Sequence, residues 1–118
     1  GPFHTKFMQP AADKLKKRLD EININEAKIP VALNATGDFL NKDDDLRALL
    51  EKQIRSSVYF EDDVKKFLDK GADVFIEIGP GKVITGFINK IAKACGKEVK
   101  VYTIDKADDL KAVIEELS

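Results

Sequence analysis

One histidine, one cysteine and a glycine-rich turn are the features of this chain most able to do chemistry. His4 is the only imidazole, and a neutral imidazole near pH 7 can accept a proton as a general base. A base needs a nucleophile, but no serine of the sequence lies in a G-x-S-x-G turn, which exposes a nucleophile between a strand and a helix. Cys95 falls on the apolar face of a predicted helix, which favours an inert core thiol. The residues alone therefore leave two interpretations of His4: a surface or satisfied histidine, which is usual for a lone His, or a base without its nucleophile.

The turn Gly79-Pro80-Gly81-Lys82 lies between a strong strand pattern and a helical one. A glycine-rich turn of this kind can present backbone N–H groups to an anion. Its spacing matches neither G-x-x-x-x-G-K-[ST] nor G-x-G-x-x-G, so spacing alone favours a structural turn and leaves a ligand cradle as the alternative. His and Cys nowhere have the spacing of metal ligands, so no metal site is predicted.

Alternating helices and strands must position these residues. Apolar runs predict strands over 29–34, 74–78 and 99–104. Helical spacing predicts five helices: one from about Gln9, one capped by Asn41, one over 61–70 that stops at Gly71, one after the glycine-rich turn that stops at Gly96, and one capped by Asp105. Strands separated by helices need crossover connections, so we predict the α/β class, with a three-stranded, mostly parallel sheet flanked by helices.

Composition narrows the class of protein further. The 118 residues suit one compact domain, and 20 Lys and Arg against 21 Asp and Glu leave a formal net charge of −1. Near-neutrality argues against nucleic acid or an anionic membrane as partner. The single Cys cannot form an internal disulfide, and no long apolar run or signal peptide is present. We therefore expect a cytoplasmic protein of a reducing compartment.

Four segments, taken in order, resemble the malonyl-CoA:acyl carrier protein transacylase family and the related acyltransferase domains of polyketide synthases. They are GPFHT at 1–5 with MQPAA at 8–12, IPVALN at 29–34, LEKQI at 50–54 with SV at 57–58, and FIEIGPGKV at 75–83 with TG at 85–86. The resemblance implies a ping-pong transfer in fatty acid biosynthesis. A serine takes malonyl from malonyl-CoA as an ester, and the phosphopantetheine thiol of acyl carrier protein then removes it.

The resemblance also implies roles for three residues. His4 matches the general base, and Gln53 matches a residue whose backbone carbonyl orients the imidazole. Phe3 resembles a bulky residue of the acyl pocket in malonyl-selective members. No cofactor is implied, since the coenzyme A thioester is a substrate. The implied partners are acyl carrier protein, malonyl-CoA and the N-terminal part of the same enzyme.

The chain departs from the family because the serine elbow and the inserted ferredoxin-like subdomain are absent. We therefore expect residues 1–118 to be a single C-terminal segment of a large α/β-hydrolase-like acyltransferase domain, inactive alone. One alternative is a non-enzymatic α/β module that binds acyl carrier protein or a phosphate-bearing ligand through the glycine-rich turn. Another is a polyketide synthase acyltransferase segment, against which the strand and helix predicted after Gly96 argue.

Overall fold

A computed structural model describes residues 6–55 and 58–118 of the chain. The chain divides into two compact units, Gly1–Asp63 and Val64–Ser118. Among the predicted site residues, Gln53 lies within the described ranges, whereas Phe3 and His4 lie outside them. In the described ranges no helix has both the length and the apolar character needed to cross a membrane.

Two packed helices form much of the first unit. Helix α1 spans Gln9–Asp20, with Pro10 in its first turn as predicted, and follows a 3₁₀ turn at Lys6–Met8. Helix α2 spans Leu46–Arg55, packs along α1, and also contacts the 3₁₀ turn. The Arg47 guanidinium of α2 donates hydrogen bonds to the carbonyl oxygens of Leu19 (2.9 Å) and Ile22 (2.7 Å). A cation thereby satisfies carbonyl groups at the end of α1 that have no helical partner.

The predicted strand over 29–34 forms a hairpin instead. Strand β1, Ala32–Leu33, pairs antiparallel with β2, Asp38–Phe39. The N–H groups of Thr36 and Gly37 both donate to the Leu33 carbonyl, and Gly37 has a φ of +65°, so the chain reverses at once and pairs with itself. The three-stranded sheet is therefore wrong for the described residues, which form two two-stranded sheets.

The start of α2 also differs from the prediction. The Asp45 carboxylate, rather than Asn41, caps the helix by accepting the N–H of Ala48 at 3.1 Å. The neighbouring Asp44 carboxylate accepts the N–H of Asn41 at 2.8 Å and closes the turn before the helix. The acidic run therefore serves helix initiation, as predicted, but one turn later.

Helix α3 spans Phe60–Asp69 and ends as its sequence predicts. Gly71 has a φ of +92°, and the N–H of Ala72 donates to the carbonyl of Phe67. This left-handed glycine is the expected stop signal of a helix C-terminus.

A parallel β–α–β arrangement dominates the second unit. Strand β3, Val74–Ile78, pairs in parallel with β4, Lys100–Ile104, and helix α4, Val83–Ala94, connects them. Helix α5, Ala107–Leu117, contacts β4, as α4 does. The core of this unit includes Ile88, Ile91, Ala92 and Val113. The parallel pair confirms the α/β class.

The cap of α5 is a further correction. Asp109, rather than Asp105 with Asp108, accepts hydrogen bonds from the N–H groups of Asp105 (3.1 Å) and Lys106 (3.0 Å). These two bonds, led by that of Lys106, lower the pKa of Asp109. The predicted helix thus forms, with its initiating carboxylate inside the first turn.

Candidate functional site

Gln53 lies in the last turn of α2, and its side chain is half-buried. Carbonyl groups in the last turn of a helix accept hydrogen bonds from groups outside the helical ladder. The 3₁₀ turn at Lys6–Met8, which begins two residues after His4 in sequence, contacts this same helix. Helix α2, which carries Gln53, is therefore in contact with the first residues that the structure describes.

A buried carboxylate in the second unit was missed by the sequence analysis. Glu77 of β3 is 7% exposed. Its Oε2 accepts the N–H of Thr85 at 2.8 Å and the hydroxyl of Thr85 at 2.6 Å, and its Oε1 accepts the N–H of Ile84 at 3.3 Å. A charged residue inside the otherwise apolar run VFIEI was the signal that could have revealed it.

These bonds place a negative charge at the start of α4. The Thr85 hydroxyl contributes most to lowering the pKa of Glu77, and the N–H groups of Thr85 and Ile84 add to it, against the opposing effect of burial. The ionised form also suits the positive end of the helix. Two amides at the N-terminus of α4, those of Ile84 and Thr85, are thus already bonded to Glu77 and are not open to an anion beside the turn, which favours the structural-turn interpretation.

The first unit contains a buried carboxylate whose pKa is shifted in the opposite direction, that of Asp63. Asp63 is 6% exposed, and within the part of the chain that the structure describes its buried Oδ1 has no hydrogen-bond partner. Burial, followed by the negative charges of Asp62 and Asp38, raises the pKa of Asp63 to about 6. In the sequence this residue looked like one more acid in the first turn of a helix.

Cys95 is exposed rather than part of the core. Helix α4 ends at Ala94, and Cys95 is the residue after it. The helical spacing that predicted burial therefore does not apply to Cys95. The prediction of a core thiol was therefore wrong.

The chain is similar to malonyl transacylases both in sequence and in structure. No family model matches it. Malonyl CoA-acyl carrier protein transacylase of Bacillus subtilis (strain 168) is 36% identical over 117 residues, which are 99% of this chain and 36% of that protein. The crystal structure of the transacylase from Clostridium perfringens ATCC 13124 is 38% identical with a TM-score of 0.88, over 99% of this chain and 36% of that one.

A third relative was solved with its partner. A type II PKS acyl-carrier protein in complex with its malonyl-transacylase gives a TM-score of 0.82 at 27% identity, over 98% of this chain and 36% of the matched chain. The fold is of the α/β class, and the relatives that match it are malonyl transacylases. More narrowly, malonyl CoA-acyl carrier protein transacylases match 99% of this chain at 36% and 38% identity, which confirms the resemblance to that family. The chain spans about a third of the length of the curated relatives that it matches, 36% for the Bacillus subtilis protein.

Proposed function

We propose that this chain is the C-terminal segment of an enzyme that transfers malonyl from malonyl-CoA to the phosphopantetheine thiol of acyl carrier protein in fatty acid biosynthesis, in the cytoplasm. The observation that carries the proposal is 36% identity over 117 residues to the Bacillus subtilis transacylase. A malonyl-transacylase of the same fold was solved with an acyl-carrier protein, which supports that partner.

The proposed reaction has two acyl transfers that share one base. His4 accepts the proton of a serine supplied by the N-terminal part of the enzyme, and that serine attacks the thioester carbonyl of malonyl-CoA. The C–S bond breaks, and coenzyme A leaves as its thiol with the proton from the imidazolium. In the second transfer His4 accepts the proton of the carrier-protein thiol, which attacks the malonyl ester, and the serine takes the proton back. Because only an acyl group and protons move, the proposal includes no cofactor.

Gln53 is proposed to orient the His4 imidazole through its backbone carbonyl. Its position in the last turn of α2, and the contact of Lys6–Met8 with that helix, support this role. A neutral carbonyl stabilises an imidazolium less than a carboxylate does, so the base stays weaker. A weak base suits a site that must favour a thiol over water. Phe3, directly before His4, is proposed to crowd a 2-methyl substituent on the acyl group.

An exposed apolar strand face supports a larger α/β-hydrolase-like domain around this segment. Val74, Ile76 and Ile78 of β3 are 39%, 43% and 80% exposed and alternate along one face of the strand. Parallel sheets are normally covered on both faces. We propose that the N-terminal part of the enzyme covers this face.

A chimera tests the proposal. The aligned residues of the Bacillus subtilis transacylase are replaced by this chain, and malonyl transfer from malonyl-CoA to holo-acyl carrier protein is followed by mass spectrometry. We expect transfer by the chimera, a loss of about 10³-fold or more in His4→Ala, and a mild effect in Gln53→Ala, whose backbone carbonyl is retained. The isolated 118-residue chain should be inactive.

Circular dichroism of each variant separates loss of chemistry from loss of fold. A folded His4→Ala chimera that transfers malonyl at the parental rate contradicts the base role. Severe loss in a folded Gln53→Ala chimera contradicts the backbone-only role, and transfer by the isolated chain contradicts the division between two parts.

A further inference from the structure

The β1–β2 hairpin is packed directly against the start of α3. The N–H of Tyr59 donates to the carbonyl of Asn34 at 2.8 Å. At Gly37 an added Cβ would lie 2.8 Å from the Cβ of Tyr59 and 2.9 Å from that of Asp62, closer than real Cβ atoms approach. The backbone of the hairpin turn therefore fills the space beside α3, and we call this contact the hairpin–helix junction.

Asp63 follows the junction residue Asp62 in the first turn of α3 and is 6% exposed. The charged groups that act on it are Asp62, from its own helix, and Asp38, from β2. Both are carboxylates, so neither compensates a negative charge on Asp63. The first turn of a helix favours an anion, yet burial has the larger effect, and the pKa of Asp63 is raised to about 6. Across the described ranges, no three His, Cys, Asp or Glu side chains converge to hold a metal ion.

Near neutral pH, the ionised form of Asp63 is incompatible with the closed junction. An ionised carboxylate needs donors, but Oδ1 of Asp63 is sealed from solvent and no described residue donates to it. Opening of the junction, which lies beside Asp63, would give water access to this oxygen. A protonated carboxyl carries no net charge and can stay in the closed junction at much lower cost.

We propose that a proton on Asp63 holds the hairpin Ala32–Phe39 closed on the start of α3, and that loss of this proton opens the hairpin–helix junction. Tyr59 follows Gln53 by six residues, so the junction anchors the far end of the segment that leaves α2. Under the proposed function, for which Gln53 orients the base, opening would loosen the positioning of that carbonyl. This functional consequence rests on the proposed function, whereas the opening itself does not.

Amide hydrogen exchange of the full 118-residue chain, read by NMR at about pH 5 and about pH 7.5, tests the opening. With a pKa of about 6 when closed and the ordinary 3.8 when open, the opening constant should rise roughly tenfold between these pH values. The protection factor of the Tyr59 amide, corrected for intrinsic exchange, should fall by that factor. Asp63→Asn should make the protection factor independent of pH, while the matched control Asp62→Asn should keep most of the dependence.

Three results would overturn the proposal. They are a Tyr59 protection factor that does not change with pH in the unaltered chain, an unchanged pH dependence in Asp63→Asn, and a dependence abolished by Asp62→Asn alone. Should Asp63→Asn not fold, Asp38→Asn replaces it. Removing this neighbouring charge should shift the midpoint of the opening to lower pH, and an unshifted midpoint counts against the proposal. The experiment measures hydrogen exchange and not malonyl transfer. Its outcomes can therefore be interpreted even if the proposed function is wrong.

Discussion

Glu77 and Asp63 are both acidic residues that are more than nine-tenths buried, one in each unit of the chain. Their surroundings differ in hydrogen-bond donors. Glu77 accepts three hydrogen bonds from Ile84 and Thr85, whereas Oδ1 of Asp63 has no donor among the described residues and Asp63 faces two other carboxylates. The pKa is lowered for Glu77 and raised for Asp63. Burial raises the pKa of both groups, and the pKa of Glu77 is lowered only because the hydrogen-bond donors that reach it outweigh burial.

The largest effect should come from Glu77→Ala. This change leaves the hydroxyl of Thr85 and two amide groups at the start of α4, all partly buried, without their acceptor, and loss of a partner by such groups costs stability. We expect the Tm to fall by many degrees, measured by circular dichroism, against little change in the control Glu115→Ala on the exposed side of α5. A small loss of stability in Glu77→Ala would contradict the claim that the hydrogen bonds of Glu77 stabilise the fold.

Acid titration of the unaltered chain tests the direction in which the stability from Glu77 depends on pH. The pKa of Glu77 is below its ordinary value of 4.5. Its contribution to stability is therefore complete above pH 4.5 and is lost as the pH falls through the lowered pKa.

Asp63→Asn should raise the free energy of unfolding, whereas Glu77→Ala should lower it. The pKa of Asp63 is raised from 3.8 to about 6, so the charged form weakens the folded state as the pH rises through this interval, by up to about 3 kcal/mol at pH 7.5. Because the amide is still a buried polar group, we expect a net gain of about 2 kcal/mol in the free energy of unfolding. Urea denaturation at two pH values measures it. The gain should shrink near pH 5, and equal gains at both pH values would contradict the charge argument.

The smallest effect should come from Thr85→Val, which removes the hydroxyl donor to Glu77 and keeps both amide donors. The hydroxyl is the largest cause of the lowered pKa, so the acid midpoint of unfolding should move to higher pH while the Tm falls less than in Glu77→Ala. Thr103→Val on β4 is the matched control. An unmoved acid midpoint would show that the amide donors alone set the pKa.

Local signals in the sequence predicted the helices, because a helix is set by neighbours in the chain. Gly71 and Gly96 stop α3 and α4 as predicted, both with positive φ. The strand over 29–34 was wrong in its pairing, since the turn at Gly37 makes a hairpin partner available within a few residues. Strand pairing depends on which partner is nearest in space, and an apolar run does not encode that choice.

The candidate site was predictable only where a motif carried it. His4, Phe3 and Gln53 came from family resemblance, and their roles stay predictions. Glu77 left a local signal, a charge inside an apolar strand. Asp63 left none, because Glu61, Asp62 and Asp63 are alike in sequence and only the three-dimensional packing around α3 distinguishes the buried one.

The hydrogen bonds between Glu77 and the start of α4 also affect whether an anion from solution can bind beside the glycine-rich turn. An external phosphate that binds the amides of Ile84 and Thr85 would have to displace a carboxylate that is tethered seven or eight residues away in the same chain. Tethering gives such an internal ligand an effective concentration of about millimolar or more, however dilute the protein is. Phosphate at micromolar concentrations should therefore leave the amide resonances of Ile84 and Thr85 unchanged, and sequence searches for anion-binding turns can discount those whose preceding strand already carries the competing acid.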